Sequence, residues 1–177
     1  PQSFYFDDPL NQAVMRAWQA GIVVVTSAGN FGPNPMTVGV PGNNPYVVTV
    51  GAMTDRFTPA DPSDDRLAPF SSAGPTYEGF VKPDLVAPGA HLVSTRAPGS
   101  VADVGNPNSR VLNDYFTGTG TSMAEAVTAG AVAVLLSARS ALTPDTVKRL
   151  IMKDAYRSAG LTKANGAGAG GLDLATA

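Results

Sequence analysis

Between Leu10 and Trp18 the apolar residues recur at helical spacing: Leu10, Ala13, Val14, Ala17 and Trp18. That spacing gathers them on one helix face. Asp8 in front can accept from the first free N–H groups, Pro9 suits the first helical position, and Gly21 is a stop. The pattern then changes. Ile22 to Thr26 (IVVVT) is an unbroken β-branched run, as in a parallel strand covered on both faces. Helix, tight turn and buried strand make half of an α/β crossover unit. A second strand pattern runs from Val47 to Ala52. Shorter ones, punctuated by proline, follow at Lys82 to Gly89 and at His91 to Thr95. From Glu125 to Arg139 the chain is nearly all Ala and Val with Leu135 and Leu136, the pattern of a buried helix. Thr143-Pro144-Asp145 then caps a last helix, with Val147, Leu150, Ile151 and Ala155 on one face. The stretches 30–46, 54–66 and 97–114 are rich in Pro, Gly, Asn and Asp and read as loops. The fold class expected from this alternation is α/β.

Composition narrows the picture. The 177 residues suffice for one domain with a sizeable core. No internal repeat and no second domain is visible. A hydrophobic content of 44% with 15% charged residues describes a globular chain. A net charge of −2 gives no basis for nucleic acid as a partner. No run of about eighteen consecutive apolar residues is present, so no membrane span is expected. The absence of cysteine excludes disulfides and thiolate metal sites. The chain opens at Pro1 with neither Met nor a signal peptide, as a fragment or a mature form would.

The candidate chemistry centres on Gly118-Thr119-Gly120-Thr121-Ser122-Met123-Ala124. Glycines before a serine, then a long helix, deliver a hydroxyl to a helix N-terminus, where free N–H groups favour developing negative charge. Ser122 there is placed either to attack a carbonyl or simply to cap the helix. Asn30 follows the first strand pattern, where open α/β sheets bind ligands. It is an oxyanion donor on one reading and a turn residue on the other. Ser27, Ala28 and Gly29 are small enough to leave room for a substrate. A base for Ser122 is harder to find. His91, the only histidine, reads as a strand or surface residue. Lys82, Lys148, Lys153 and Lys163 read as residues of polar turns or helix faces. No histidine follows Ser122, which excludes the α/β-hydrolase order. Asp55, Asp61, Asp64 and Asp65 form a solvated acidic loop or, alternatively, ligands for calcium.

Four stretches in order resemble the subtilisin-like serine peptidases. They are Gly21–Pro33 (GIVVVTSAGNFGP), Val47–Asp55 (VVTVGAMTD), Phe70–Pro88 (FSSAGPTYEGFVKPDLVAP) and Thr119–Leu136 around GTSMA. TPDTVKRLI after Leu142 and the terminal GAGAGGLDLATA are similar to the family's closing segments. The resemblance implies a three-layer α/β/α architecture with a mostly parallel sheet. It also implies that residues 1–177 are the C-terminal two-thirds of one peptidase domain, incomplete at the N-terminus. Matched motif to motif, Ser122 is the nucleophile and Asn30 the oxyanion-hole amide. Ser27-Ala28-Gly29 form one wall of the pocket for the residue before the scissile bond. The family's catalytic Asp and His precede the oxyanion Asn, so both would come from a segment before Pro1. The partners implied are a peptide or protein substrate and that N-terminal segment, and the isolated chain would self-associate. No cofactor is required for the chemistry, a structural calcium is compatible with the family, and the family implies secretion. Two departures stand out. Ala126-Val127 occupy the place of the family's Pro-His, and 92 residues separate Asn30 from Ser122, with the extra length expected at 54–66 and 97–114.

Overall fold

The computed structural model describes residues 3–175. The calls that rest on Pro1, and the last two residues of the terminal GAGAGGLDLATA, lie outside the described residues. Helix α1 spans Pro9–Gln19, with the Asp8 carboxylate accepting from the N–H groups of Leu10 and Asn11. Its buried residues are Asn11 and Trp18, whereas Leu10 is exposed. The buried stripe is therefore rotated from the apolar repeat, because Asn11 turns inward to donate to the Asn43 side chain. The first strand, β1, is Val25–Ser27. It starts three residues later than the apolar run, and Ile22 is 58% exposed.

Strand β2 (Val48–Thr54) is the centre of the main sheet. It pairs in parallel with β1 and with β4 (Leu85–Pro88), and antiparallel with the two-residue β3 (Arg66–Leu67). Val48 to Met53 are all buried, as expected for a strand covered on both faces. Helix α3 (Thr121–Ala138) packs on β1, β2 and β4. Trp18 of α1, with Val147 and Ile151 of α4 (Pro144–Lys153), completes the same core. Trp18 is fixed by donating its indole N–H to Asp145 at 2.8 Å. The α/β architecture and mostly parallel main sheet match the expected fold class.

The segment expected to be loop at 97–114 is instead a small folded unit. It contains α2 (Val101–Gly105) and β6 (Arg110–Val111). Strand β6 joins β5 (Leu92–Thr95) and β7 (Tyr115–Gly118) in an antiparallel sheet ordered β5-β7-β6. Its organiser is Asp103, which accepts from Arg96, Arg110 and the Gly99 N–H. Composition alone hides this, since one buried carboxylate holding two arginines substitutes for an apolar core.

Two further expectations need correction. Lys82, which reads in the sequence as a residue of a polar turn or helix face, is 3% exposed. Its ammonium donates to the Val47 carbonyl, the Thr49 hydroxyl and the Asp84 carboxylate. All three of its N–H groups are thus engaged, which leaves it no role as a base for Ser122. Helix α3, expected to be buried, is covered on one side only. Ala124, Thr128, Ala131, Val132 and Leu135 are buried, while Ala126, Ala129, Ala133 and Val134 are exposed. By length and composition alone α3 is apolar enough to cross a membrane. It begins in the serine turn and is packed on the sheet, so it serves as a core helix.

Candidate active site

The carboxyl end of β1 and the N-terminus of α3 meet, and that meeting builds the site. Beyond β1 the chain enters Ala28-Gly29-Asn30. Gly29 has φ +109°, a left-handed backbone conformation that a side chain would strain. A Cβ there would also meet the Ser72 hydroxyl at 2.9 Å. Ser72 tightens this turn from the far side, its N–H donating to Gly29 O and its hydroxyl accepting from Phe31 N.

Thr121 is the link between the two elements. It is fully buried. Its hydroxyl accepts from Gly29 N at 3.2 Å and donates to Asn30 Oδ1 at 3.0 Å. Its backbone N–H, one of the donors that a helix start leaves unpaired, donates to the same Oδ1 at 2.9 Å. With the amide oxygen held twice, the orientation of the Asn30 side chain is fixed by its hydrogen bonds. Its Nδ2 group has no acceptor among the described residues and lies beside Gly120, where an added Cβ would meet it at 3.5 Å. Ser122 is exposed on the next position of the helix. Neither its hydroxyl nor its backbone N–H has a protein partner among the described residues. Two free N–H donors and one free hydroxyl therefore sit at one helix N-terminus, where the helix dipole adds to the attraction for an anion.

Close packing holds α3 at this depth. Gly120 N donates to Gly89 O at 2.8 Å. A Cβ on Gly89 would lie 2.7 Å from Ala52 Cβ and 2.9 Å from Gly120 O, so only glycine lets β4's exit pass beneath the serine turn. Ser27 ends β1 and Ala28 follows it, Ala28 buried and Ser27 half-buried.

The other sequence candidates are not brought here. His91 lies with its ring against Phe57, centroids 5.3 Å apart, and only its backbone N–H reaches the serine segment, at the Thr119 hydroxyl. Asp61 and Asp55 cap turns of their own loop, and Asp65 is buried against the Tyr156 hydroxyl. Among the described residues no group of three or more His, Cys, Asp or Glu is placed to hold a metal. Sequence reasoning missed Thr121 and Ser72. The signal for Thr121 was its place between Gly120 and Ser122, at the first position of a helix whose N–H groups need partners.

The fold is shared with known proteins. The chain superposes on the self-cleaved protease domain of PatA with a TM-score of 0.67 at 26% identity, covering 98% of this chain and 56% of that one. The fold is thus the α/β scaffold of that protease domain. Residues 4–170 match the subtilase family model, and the chain belongs to the subtilase family. It is 49% identical over 145 residues to the serine protease AprX of Bacillus subtilis (strain 168), covering 82% of this chain and 33% of AprX. It is 33% identical to subtilisin DY of Bacillus licheniformis over 82% of this chain and 44% of that protein. The chain thus spans less than half the length of these two relatives.

Proposed function

We propose that residues 1–177 form the C-terminal portion of a single peptidase domain that hydrolyses peptide bonds by acyl transfer. Ser122 attacks the scissile carbonyl. The Asn30 amide and the Ser122 N–H hold the oxyanion as it develops, in the manner of an oxyanion hole. Ser27, Ala28 and Gly29 form one wall of the pocket for the residue before the scissile bond. A histidine carried by a segment outside this chain takes the serine proton, and an aspartate orients that histidine. The substrate is a peptide or protein, no cofactor enters the chemistry, and the parent protein is exported. The observation that supports this reading best is the doubly held Asn30 oxygen, which aims an otherwise unused donor beside an unpartnered serine.

A second reading is favoured by the lack of any base beside Ser122 among the described residues. On that reading the chain is a non-catalytic piece that holds peptide or completes a fold. Reconstitution separates the two. On the first, the chain alone is inert, the chain joined to its N-terminal segment hydrolyses casein, and Ser122→Ala abolishes that activity. On the second, the joined protein is also inert. The first reading carries a corollary. β1 has no strand on its outer edge among the described residues, and the uncovered face of α3 includes Val134, 64% exposed. Open edges and apolar faces invite pairing, so the chain alone self-associates.

A further inference from the structure

The cations of this chain are unevenly placed. Residues 148–163 hold Lys148, Arg149, Lys153, Arg157 and Lys163 against the single acid Asp154, in a chain whose net charge is −2. The structure lays these residues along one concave track. Depressions of about 450, 280 and 520 Å³ lie in a row. The middle one shares Val81, Lys163 and Gly168 with the first, and Met152 and Ala169 with the last. Such a row suits several residues of extended chain, where a small ligand needs one concavity. Arg157 borders the middle depression, and Lys148, Arg149 and Lys153 of α4 border the last.

Arg149, Arg157 and Lys163 are exposed, and none of them forms an ion pair among the described residues. Arg157 Nε donates to Ala169 O at 3.3 Å, which leaves its charge without a counter-ion. Lys153 faces Asp154 only at 3.9 Å. The acids that reach the track are engaged already. Asp84 holds Lys82 and Lys148, and Asp145 accepts from the Trp18 indole. The head of the track adjoins the candidate active site. The first depression is bordered by Pro33 and Pro35, three and five positions after Asn30. This loop is tied to the facing wall, since Thr37 N donates to Ala73 O and Ala73 N donates to the Thr37 hydroxyl. Ala73 in turn follows Ser72, which holds the Asn30 turn.

We propose that this track is an exosite for an acidic stretch of the substrate polypeptide, some residues away from the scissile bond. The inference rests on the peptidase reading of Ser122. Charge selects the ligand, because Asp and Glu side chains complement the cations that the protein leaves unpaired. Position selects the source. The track opens behind the Asn30 turn, so a polypeptide held at Ser122 is the one whose continuation meets it. Each exposed ion pair contributes little, so the effect needs several at once. The alternative is that these cations serve solubility alone. Substrate charge away from the scissile bond would then have no effect.

The test uses the complete protein and matched peptides carrying a block of Glu or of Gln at increasing distances on either side of one scissile bond. At a favoured distance the Glu peptide is expected to show a kcat/KM about ten-fold above its Gln twin, chiefly through KM, the scale of a few exposed ion pairs acting together. The advantage should fade as salt is raised. Arg149→Glu combined with Lys163→Glu is expected to remove it, while kcat/KM for the Gln peptides stays within roughly two-fold. Arg16→Glu combined with Arg56→Glu makes the same change in net charge at residues that border none of the three depressions, and should keep most of the advantage. A second readout needs no turnover. The complete Ser122→Ala protein should bind a fluorescent Glu-block peptide, read by anisotropy, and should lose that binding with the Arg149 and Lys163 reversals. Glu and Gln peptides cut alike at every distance overturn the proposal, as does an advantage that survives both reversals. Binding of the free Glu peptide with no advantage in cutting also overturns it, because the track would then serve a partner other than substrate. In each of these cases the peptides are still cut and the peptidase reading stands. If the complete wild type cuts none of the peptides and Ser122 is unreactive, the peptidase reading has failed and the exosite fails with it.

Discussion

Replacing Thr121 by valine removes one hydroxyl and keeps the shape. In the structure that hydroxyl makes two bonds, one to Gly29 N and one to Asn30 Oδ1. Each neutral bond contributes about 0.5–1.5 kcal/mol net, and the Gly29 N–H left unpaired adds to the cost. The expected loss of stability is about 1–3 kcal/mol. The expected loss of rate is smaller than that from deleting Asn30, because the Thr121 N–H still holds Oδ1. One of two restraints on the donor is gone, which corresponds to about 1 kcal/mol of barrier, or a five- to ten-fold fall in kcat. KM is expected to stay nearly constant, since the oxyanion forms only in the transition state. The assay is steady-state hydrolysis of a peptide ester by the complete protein, with Thr121→Ser as the control that keeps the hydroxyl. Wild-type kcat in Thr121→Val would refute the claim that Thr121 aims Asn30. Equal damage in Thr121→Ser and Thr121→Val would shift the cause from the hydroxyl to the methyl group.

Asn30→Leu is expected to lower kcat by about 10²–10³ with KM little changed, a magnitude that comes from subtilisin, of this same family, and is carried over, not worked from this structure; a change in KM alone would remove Asn30 from the oxyanion role. Gly89→Ala forces a methyl against Ala52 and Gly120, and a thermal melt should show a destabilisation of about 1–3 kcal/mol; an unchanged melting temperature would mean that the serine turn is not packed this tightly. Burial lowers the Lys82 pKa from 10.5 to about 7, against the pull of Asp84. Between about pH 7 and 10.5 the unfolded chain therefore binds a proton that the folded chain does not, so this group's contribution raises stability as pH rises through that window. Lys82→Met should flatten that part of the stability profile in denaturant titrations, and parallel profiles would contradict the assignment. Light scattering of the chain alone at micromolar concentration should show dimers or larger species, and a clean monomer would count against the open β1 edge as a pairing surface.

The candidate site was more legible in the chain than the packing was. Gly118–Ala124 and Ser27–Asn30 announce themselves because turn, small residue and helix start must be contiguous in sequence. The structure brings Asn30 beside Thr121, one position from Ser122. What joins them was not legible, since the Thr121 bonds cross 91 or 92 positions of sequence and no local pattern records such a pairing. The α1 stripe misled because apolar spacing says nothing of a buried amide, and Asn11 turns inward to meet Asn43. Lys82 misled for the same reason: its position between Val81 and Pro83 looks like a turn, while its partners Val47 and Thr49 lie more than thirty positions earlier. The 97–114 unit escaped because Asp103 with two arginines is invisible to hydrophobic periodicity. The exposed side of α3 reads as core in sequence, since a face awaiting a partner has the same composition as a face already covered.

The most direct test of the central claim is the intact mass of the complete protein before and after treatment with a fluorophosphonate, followed by peptide mapping. One added phosphonyl group on Ser122, lost in Ser122→Ala and slowed in Asn30→Leu, is the expected result. On the proposed function the chain alone should remain near 18.1 kDa. A complete protein that takes no label, or takes it on a residue other than Ser122, would contradict the account.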